Sequence, residues 1–251
     1  MSNKMIFDNA WINKSHPESS WANEVIKDYQ NTGKAYLQEI SDWFINYPGS
    51  NKRKNGLKSG VLNSDNFSHL GAVNELSWWS YLRSRDINIF PISEGKKSTP
   101  DFEVSLEQNT LIFEVTTINA SSKEKCRNLQ YSQGNTLYRI LNKITDEKLP
   151  QFKYGHDRDC PVILVLFNYD EWSGFGTKLS NFVKNYFEKH DVPKELSAIL
   201  YMERSVIGGK SMYNNNGTSL YLNPNADFCI NRSEFESFLE LENEWSQCEK
   251  A

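Results

Sequence analysis

Hydrophobic residues recur every three or four positions in three stretches of the chain, a spacing typical of one face of an α-helix. The first stretch covers residues 36–44, and the second predicts a helix over about residues 68–83 with Glu75 beside its apolar face. The third predicts a helix over about residues 132–148, which Pro150 is expected to end. These patterns indicate amphipathic helices that each bury one face.

Short apolar runs predict strands between and after these helices. Residues 87–90, 101–106 and 110–117 read as three strands, and three polar residues between the last two suit a hairpin turn. Residues 161–167 are continuously apolar, which favours a buried central strand, and residues 196–202 predict one more. The sheet should therefore combine an antiparallel hairpin with buried strands.

The last fifth of the chain is more polar. A stretch rich in glycine and asparagine, residues 207–217, predicts a long loop, and residues 219–226 predict a short edge strand. Residues 231–251 hold six acidic and two basic side chains and predict an acidic C-terminal helix.

The order of elements over residues 68–167 is helix, strand, strand, strand, helix, strand. Interspersed helices and strands of this kind predict an α/β or α+β layered fold with a mixed sheet. We expect residues 1–66 to form an N-terminal helical extension, residues 67–230 the core, and residues 231–251 the acidic helix. Both outer segments should pack around the core.

A basic stretch, residues 51–60, lies between the first two helices and contains no acidic residue. Its four cations are Lys52, Arg53, Lys54 and Lys58. One interpretation is a solvated loop, and the other is a flexible loop whose side chains contact the phosphates of a nucleic acid.

Two carboxylates on the predicted hairpin carry the main functional signal. Asp101 opens one strand and Glu114 lies in the next, and a turn centred near residue 108 places Asp101 opposite Val115 and close to Glu114. Alternation puts Glu114 and Thr116 on the same face. Converging carboxylates are costly without compensation, and the usual compensation by oxygen ligands is Mg²⁺, Mn²⁺ or Ca²⁺. The alternative is one exposed carboxylate and one that is salt-bridged.

The segment Pro100-Asp101 followed by Glu114-Val115-Thr116, within this order of elements, resembles the PD-(D/E)xK nuclease superfamily. The resemblance implies a restriction-endonuclease-like core over roughly residues 68–167 and a metal-dependent endonuclease that hydrolyses DNA, with Mg²⁺ or Mn²⁺ as cofactor. It implies Asp101 and Glu114 as metal ligands and Glu75, an acid on the first helix, as a further metal ligand or base. Restriction or phage defence, a homodimer and a protein partner in a defence system are further implications of the analogy.

Thr116 departs from the family pattern, because the resemblance expects a lysine there that supplies positive charge to the reaction. Lys148 lies on the apolar side of the third predicted helix and is a candidate to replace it. Other candidates are Lys96, Lys97, Lys123 and Lys143. The alternative is a catalytically inactive member of the fold that binds nucleic acid or senses an effector.

The chain of 251 residues has a formal net charge of −4, which alone disfavours a general nucleic-acid binder. The acidic C-terminal segment accounts for all of that charge, so residues 1–230 are formally neutral. DNA therefore remains the expected partner, with RNA open. The chain has no apolar run near the roughly 20 residues that span a bilayer and no secretory signal, so we expect a cytoplasmic protein without membrane contact.

Overall fold

The computed structural model describes residues 5–95, 98–106, 109–118, 142–168, 192–214, 218–231, 235 and 245–247. Its α-helices are α1 (Asn9–Ile12), α2 (Trp21–Lys27), α3 (Lys34–Asn46), α4 (Asn51–Val61), α5 (Asn66–Arg83) and α6 (Leu149–His156). Two π-helical turns cover Tyr29–Gly33 and Lys143–Glu147. The strands are β1 (Ile89–Pro91), β2 (Phe102–Ser105), β3 (Thr110–Ile118), β4 (Val162–Asn168), β5 (Ala198–Ile207), β6 (Lys210–Asn214), β7 (Ser219–Leu222) and β8 (Trp245–Gln247).

One mixed sheet holds these strands. β1, β2 and β3 are antiparallel neighbours, whereas β3, β4 and β5 run parallel. The first half of β5 pairs with β7 and its second half with β6, whose other edge pairs with β8. The α+β class with a mixed sheet is thus confirmed, and β4 is the buried central strand that its apolar run predicted.

Side-chain alternation on β3 divides the core into two layers. Phe113 and Val115 face a cluster that includes the apolar sides of α3 and α5. Ile112 and Ile118 face the opposite cluster, which includes α6. Glu114 therefore lies on the α6 side of the sheet, as the two-residue period of a strand requires.

The basic stretch forms helix α4, so the loop prediction for residues 51–60 is wrong. The Ser50 hydroxyl accepts a hydrogen bond from the Arg53 backbone N–H at 3.3 Å and caps the helix. Arg53, Leu57 and Val61 repeat every four residues and are buried. Only two of these three are apolar, which explains why the hydrophobic pattern did not reveal the helix.

Three other predictions need correction. Part of the predicted loop at residues 207–217 is strand β6, joined to β5 by Gly208 and Gly209, which both have positive φ, as a two-residue hairpin turn requires. The segment 245–247 of the predicted acidic helix is strand β8, because it pairs with the free edge of β6. Pro150 ends no helix, since it occupies the first turn of α6, where its missing N–H costs nothing.

The other helix and strand predictions either match or lie outside the described residues. The helices at 36–44 and 68–83, the hairpin and the edge strand near residue 219 are confirmed by α3, α5, β2–β3 and β7. Most of the predicted helix at 132–148 and most of the acidic C-terminal segment lie outside the described residues.

Candidate active site

A solvent-filled cleft of about 490 Å³ opens between α4, the first half of α5 and the loop that connects β1 to β2. Arg53, Glu75 and Asp101 lie at its base. The walls include glycines of α4 and hydroxyl side chains of the loop: Gly56, Gly60, Ser98 and Thr99. Small and polar residues thus form much of the cleft wall, and three charged side chains lie at its base.

Asp101 is held in place by the backbone of the hairpin and by the Arg53 guanidinium. Phe102 pairs with Phe113, so Asp101 lies opposite Glu114 rather than Val115, one position from the predicted register. Its Oδ2 accepts the backbone N–H of Val115 at 2.7 Å, and its Oδ1 contacts Arg53 Nη2 at 2.5 Å. Both carboxylate oxygens are thus engaged by protein donors.

Glu75 reaches the same guanidinium from α5. Its Oε1 accepts hydrogen bonds from Arg53 Nη2 at 2.7 Å, from Arg53 Nε at 2.9 Å and from the Tyr47 hydroxyl at 3.0 Å. Arg53 Nε also donates to the Tyr47 oxygen at 2.8 Å. The arginine therefore joins a carboxylate of α5 to a carboxylate at the start of β2.

Glu114 lies on the face of β3 that packs against α6, is 3% exposed and pairs with Lys148. Lys148 Nζ lies 2.5 Å from Glu114 Oε1. This lysine follows the π-helical turn at 143–147 and immediately precedes α6, which packs against β3 and β4. Glu114 Oε2 is buried and has no hydrogen-bond partner among the described residues.

Burial and the charge of neighbouring carboxylates raise the pKa values of Glu75 and Glu114. Burial, reinforced by the charge of Asp101, raises the pKa of Glu114 to about 8. The same two causes, in the same order, raise the pKa of Glu75 to about 7, against the attraction of Arg53. Burial opposes the charge of Lys148, but Glu114 nevertheless raises the pKa of that lysine. Glu75, Asp101 and Glu114 thus form one electrostatic cluster with Arg53 and Lys148.

The cations predicted to contact nucleic acid do not act together. Arg53 is 6% exposed and points to the cleft floor, so its assignment to a mobile phosphate-contacting loop is wrong. Lys52 is exposed and forms a 3.0 Å ion pair with Glu94 at the cleft wall. Lys54 lies over the Phe44 ring, and Lys58 is exposed near the end of α4. Helix α4 therefore points Arg53 inward, whereas Lys54 and Lys58, four residues apart, lie on another face of the helix.

Of the remaining candidate residues, the structure describes Thr116 and Lys143. Thr116 is buried on β3, two residues after Glu114 and on the same face. Lys143 pairs with Glu147 at 3.2 Å rather than with the cluster. Lys96, Lys97 and Lys123 lie outside the described residues.

Tyr47 and the inward role of Arg53 were missed by the sequence reasoning. Tyr47 follows helix α3 directly, is fully buried and donates a hydrogen bond to Glu75. The serine cap at Ser50, followed by Arg53, Leu57 and Val61 at four-residue spacing, is the signal that could have identified the inward face.

The donor set around Asp101 fits a hard divalent cation held by two carboxylates and water. Mg²⁺ is bound in proteins through one or two carboxylates with several waters retained, and Glu114 Oε2 is an unpartnered buried oxygen across the hairpin from Asp101. Within the described residues, no group of three or more histidine, cysteine or acidic side chains is arranged to hold a metal ion. Glu75 is therefore bound to Arg53 rather than arranged as a third ligand.

The described helices include none that is both long and apolar enough to cross a membrane. The likeness to PD-(D/E)xK nucleases rests on the hairpin motif and the order of elements. A scan against protein-family models found no match, and searches of curated proteins and of solved structures likewise returned no similar protein.

Proposed function

We propose that this chain is a metal-dependent endonuclease that hydrolyses phosphodiester bonds of DNA. The observation that carries the proposal is the clustering of Glu75, Asp101 and Glu114 at the hairpin, with the Lys148 ammonium paired to Glu114 and an open cleft lined by Glu75 and Asp101. Perturbed carboxylates beside a cleft are typical of catalytic sites. Restriction or phage defence is the context that the family analogy suggests.

Asp101 and Glu114 are the proposed ligands of Mg²⁺ or Mn²⁺, with Glu75 as an additional acid that reaches the cleft. The cation would act as a Lewis acid on the phosphate and lower the pKa of bound water. Asp101 is held for this role by the Val115 N–H, which fixes its orientation. Glu114 must lose its proton to act as a ligand, and because burial raises its pKa, cation binding should strengthen as the pH rises.

Lys148 supplies the positive charge that Thr116 lacks. It reaches Glu114 from the segment before α6 and leaves Thr116 as a neutral hydroxyl on the neighbouring position of β3. An ammonium held beside the carboxylate can stabilise negative charge that develops on a phosphate. The lysine of the family pattern is thereby replaced by one from a different element of the fold.

Plasmid cleavage tests the proposal. We expect the native protein to nick or linearise supercoiled plasmid with Mg²⁺ or Mn²⁺, and Glu114→Gln and Asp101→Asn to lose about 100-fold or more of this rate. Glu103→Gln, which neutralises a half-buried carboxylate on β2, is the matched control and should cleave like the native protein. Native cleavage no faster than that of Asp101→Asn would contradict the proposal.

A second candidate function is a non-catalytic module that binds nucleic acid on the same fold. Arg53 favours it, because this guanidinium already neutralises Glu75 and Asp101 without a metal. In that case DNA retardation would persist in chelator and in Glu114→Gln, with no cleavage of DNA or of RNA under any condition.

A further inference from the structure

A buried guanidinium occupies the floor of the cleft, between the two carboxylates that line it. Arg53 Nη2 lies 2.7 Å from Glu75 Oε1 and 2.5 Å from Asp101 Oδ1, and its side chain is 7% exposed. Ion pairs at these distances and depths are tight and charge-assisted. Arg53 is therefore the resident counter-ion of the cleft.

With all three carboxylates ionised the cluster has a net charge of −1, so a divalent cation would overcompensate it while Arg53 stays in place. Glu75, Asp101 and Glu114 are three potential negative charges, and Arg53 and Lys148 supply two positive charges. Lys148 pairs with Glu114 on the α6 side of β3, whereas Arg53 pairs with Glu75 and Asp101, which line the cleft. A divalent cation held by Asp101 and Glu114 would lie beside the guanidinium, and like charges at such short distances repel.

The cleft has room for an anion that could pair with the displaced guanidinium. Its walls carry glycines, hydroxyl groups and Lys52, which is paired with Glu94, and a side chain at Gly56 would meet no other atom within 4 Å. A phosphate group of a nucleic-acid strand suits these surroundings, since the planar fork of arginine pairs with phosphate as well as with carboxylate.

We propose that Arg53 and a divalent cation compete for Asp101, and that a phosphate in the cleft receives the guanidinium when the cation binds. The inference rests on the proposed metal-dependent nuclease function and adds to it a linkage between metal and substrate. Without nucleic acid, the cation must displace a paired arginine, so it binds weakly. With nucleic acid, the arginine has a second partner, so each ligand strengthens the binding of the other by the same factor.

Titration calorimetry with Mn²⁺ at about pH 8 tests this competition. The full chain is titrated alone and in the presence of a phosphorothioate duplex that resists cleavage. For the native protein we expect the duplex to tighten Mn²⁺ binding about tenfold or more. Arg53→Met should bind Mn²⁺ about tenfold tighter than the native protein without the duplex, and the duplex should enhance its binding several-fold less.

Arg83→Met is the matched control, because Arg83 is exposed at the end of α5, away from the cleft. It should reproduce the native affinities in both titrations. Equal Mn²⁺ affinity of native protein and Arg53→Met without the duplex would overturn the inference and leave the nuclease proposal intact. Failure of both proteins to bind Mn²⁺ even with the duplex would overturn the nuclease proposal as well.

A second measurement covers the case in which Arg53→Met does not fold, as judged by circular dichroism. The side-chain Nε–H resonance of Arg53 is assigned in a ¹⁵N spectrum by comparison with Arg53→Lys. Saturating Mg²⁺ with the duplex should move this resonance in the native protein, because Nε leaves Glu75 and Tyr47. An unmoved resonance at saturation would overturn the competition.

Discussion

The raised pKa of Glu114 makes folding stability depend on pH in a direction opposite to that of an ordinary salt-bridged carboxylate. The ordinary value is 4.5 and the folded value about 8, so the folded state holds a proton that the unfolded state releases. The stabilisation from this group is complete below about pH 4.5 and is lost as the pH rises toward and through about 8. Between about pH 5 and pH 8 the folded state loses roughly 3 to 4 kcal/mol from Glu114 alone.

Glu114→Gln removes this dependence while it preserves the shape of the side chain. The variant has no titratable group at position 114, so its stability lacks this pH-dependent contribution. The difference in unfolding free energy between variant and native protein should therefore become more favourable to the variant by roughly 3 to 4 kcal/mol from about pH 5 to pH 8. In urea denaturation followed by tryptophan fluorescence, the difference between the two midpoints should change by about 1 M or more.

Glu75 contributes a pH dependence of the same sign, and the subtraction removes it because both proteins contain Glu75. Glu103→Gln, on the neighbouring strand, should follow the native curve at both pH values. A Glu114→Gln difference that is the same at both pH values, within about 1 kcal/mol, would refute the reasoning from burial.

Three further outcomes are expected. Lys148→Met should lower the kcat of DNA cleavage about 100-fold with little change in KM, and Lys148→Arg should restore part of it, as steady-state kinetics would show. Burial lowers the pKa of His69 to about 3, so the stabilisation from neutral His69 is lost as the pH falls from about 6.5 toward 3. His69→Gln should reduce this acid sensitivity, measured by urea titrations at about pH 4 and pH 7. Asn74→Ala removes hydrogen bonds to Thr117 and Arg204 and should destabilise the fold by about 1 to 3 kcal/mol, measured as a fall in the melting temperature.

The sequence predicted the helices and strands whose own residues carry a complete hydrophobic pattern. Helix α5 keeps its apolar spacing over eighteen residues, and β4 is apolar at nearly every position because both of its faces are covered. The hairpin of β2 and β3 was predicted with a register error of one position. That error did not affect the proximity of Asp101 and Glu114, because pairs one step apart in an antiparallel hairpin remain neighbours.

Long-range pairing limited the remaining predictions. β8 forms because its three residues pair with the edge of β6. The paired residues Asn214 and Trp245 are thirty-one positions apart, and the acidic segment's own sequence gives no signal of this pairing. The Gly208-Gly209 pair, in contrast, is a local hairpin signal that was visible in the sequence and was interpreted as part of a loop. Arg53 combines both difficulties, since its helix is polar and its partners lie 22 and 48 residues away.

Stability alone does not account for the ionic cluster. Removing one partner of a buried ion pair typically costs about 3 to 5 kcal/mol, but replacing the whole set by apolar side chains of similar volume is often neutral or stabilising. Arg53, Glu75, Asp101, Glu114 and Lys148 occupy positions where the surrounding core is aromatic and aliphatic, so apolar side chains would fit that environment. Burial raises the pKa of Glu75 to about 7 and that of Glu114 to about 8, and Glu75 lines an open cleft. Perturbed carboxylates beside a cleft are typical of functional sites, so the cluster supports the proposed chemistry on a charged substrate.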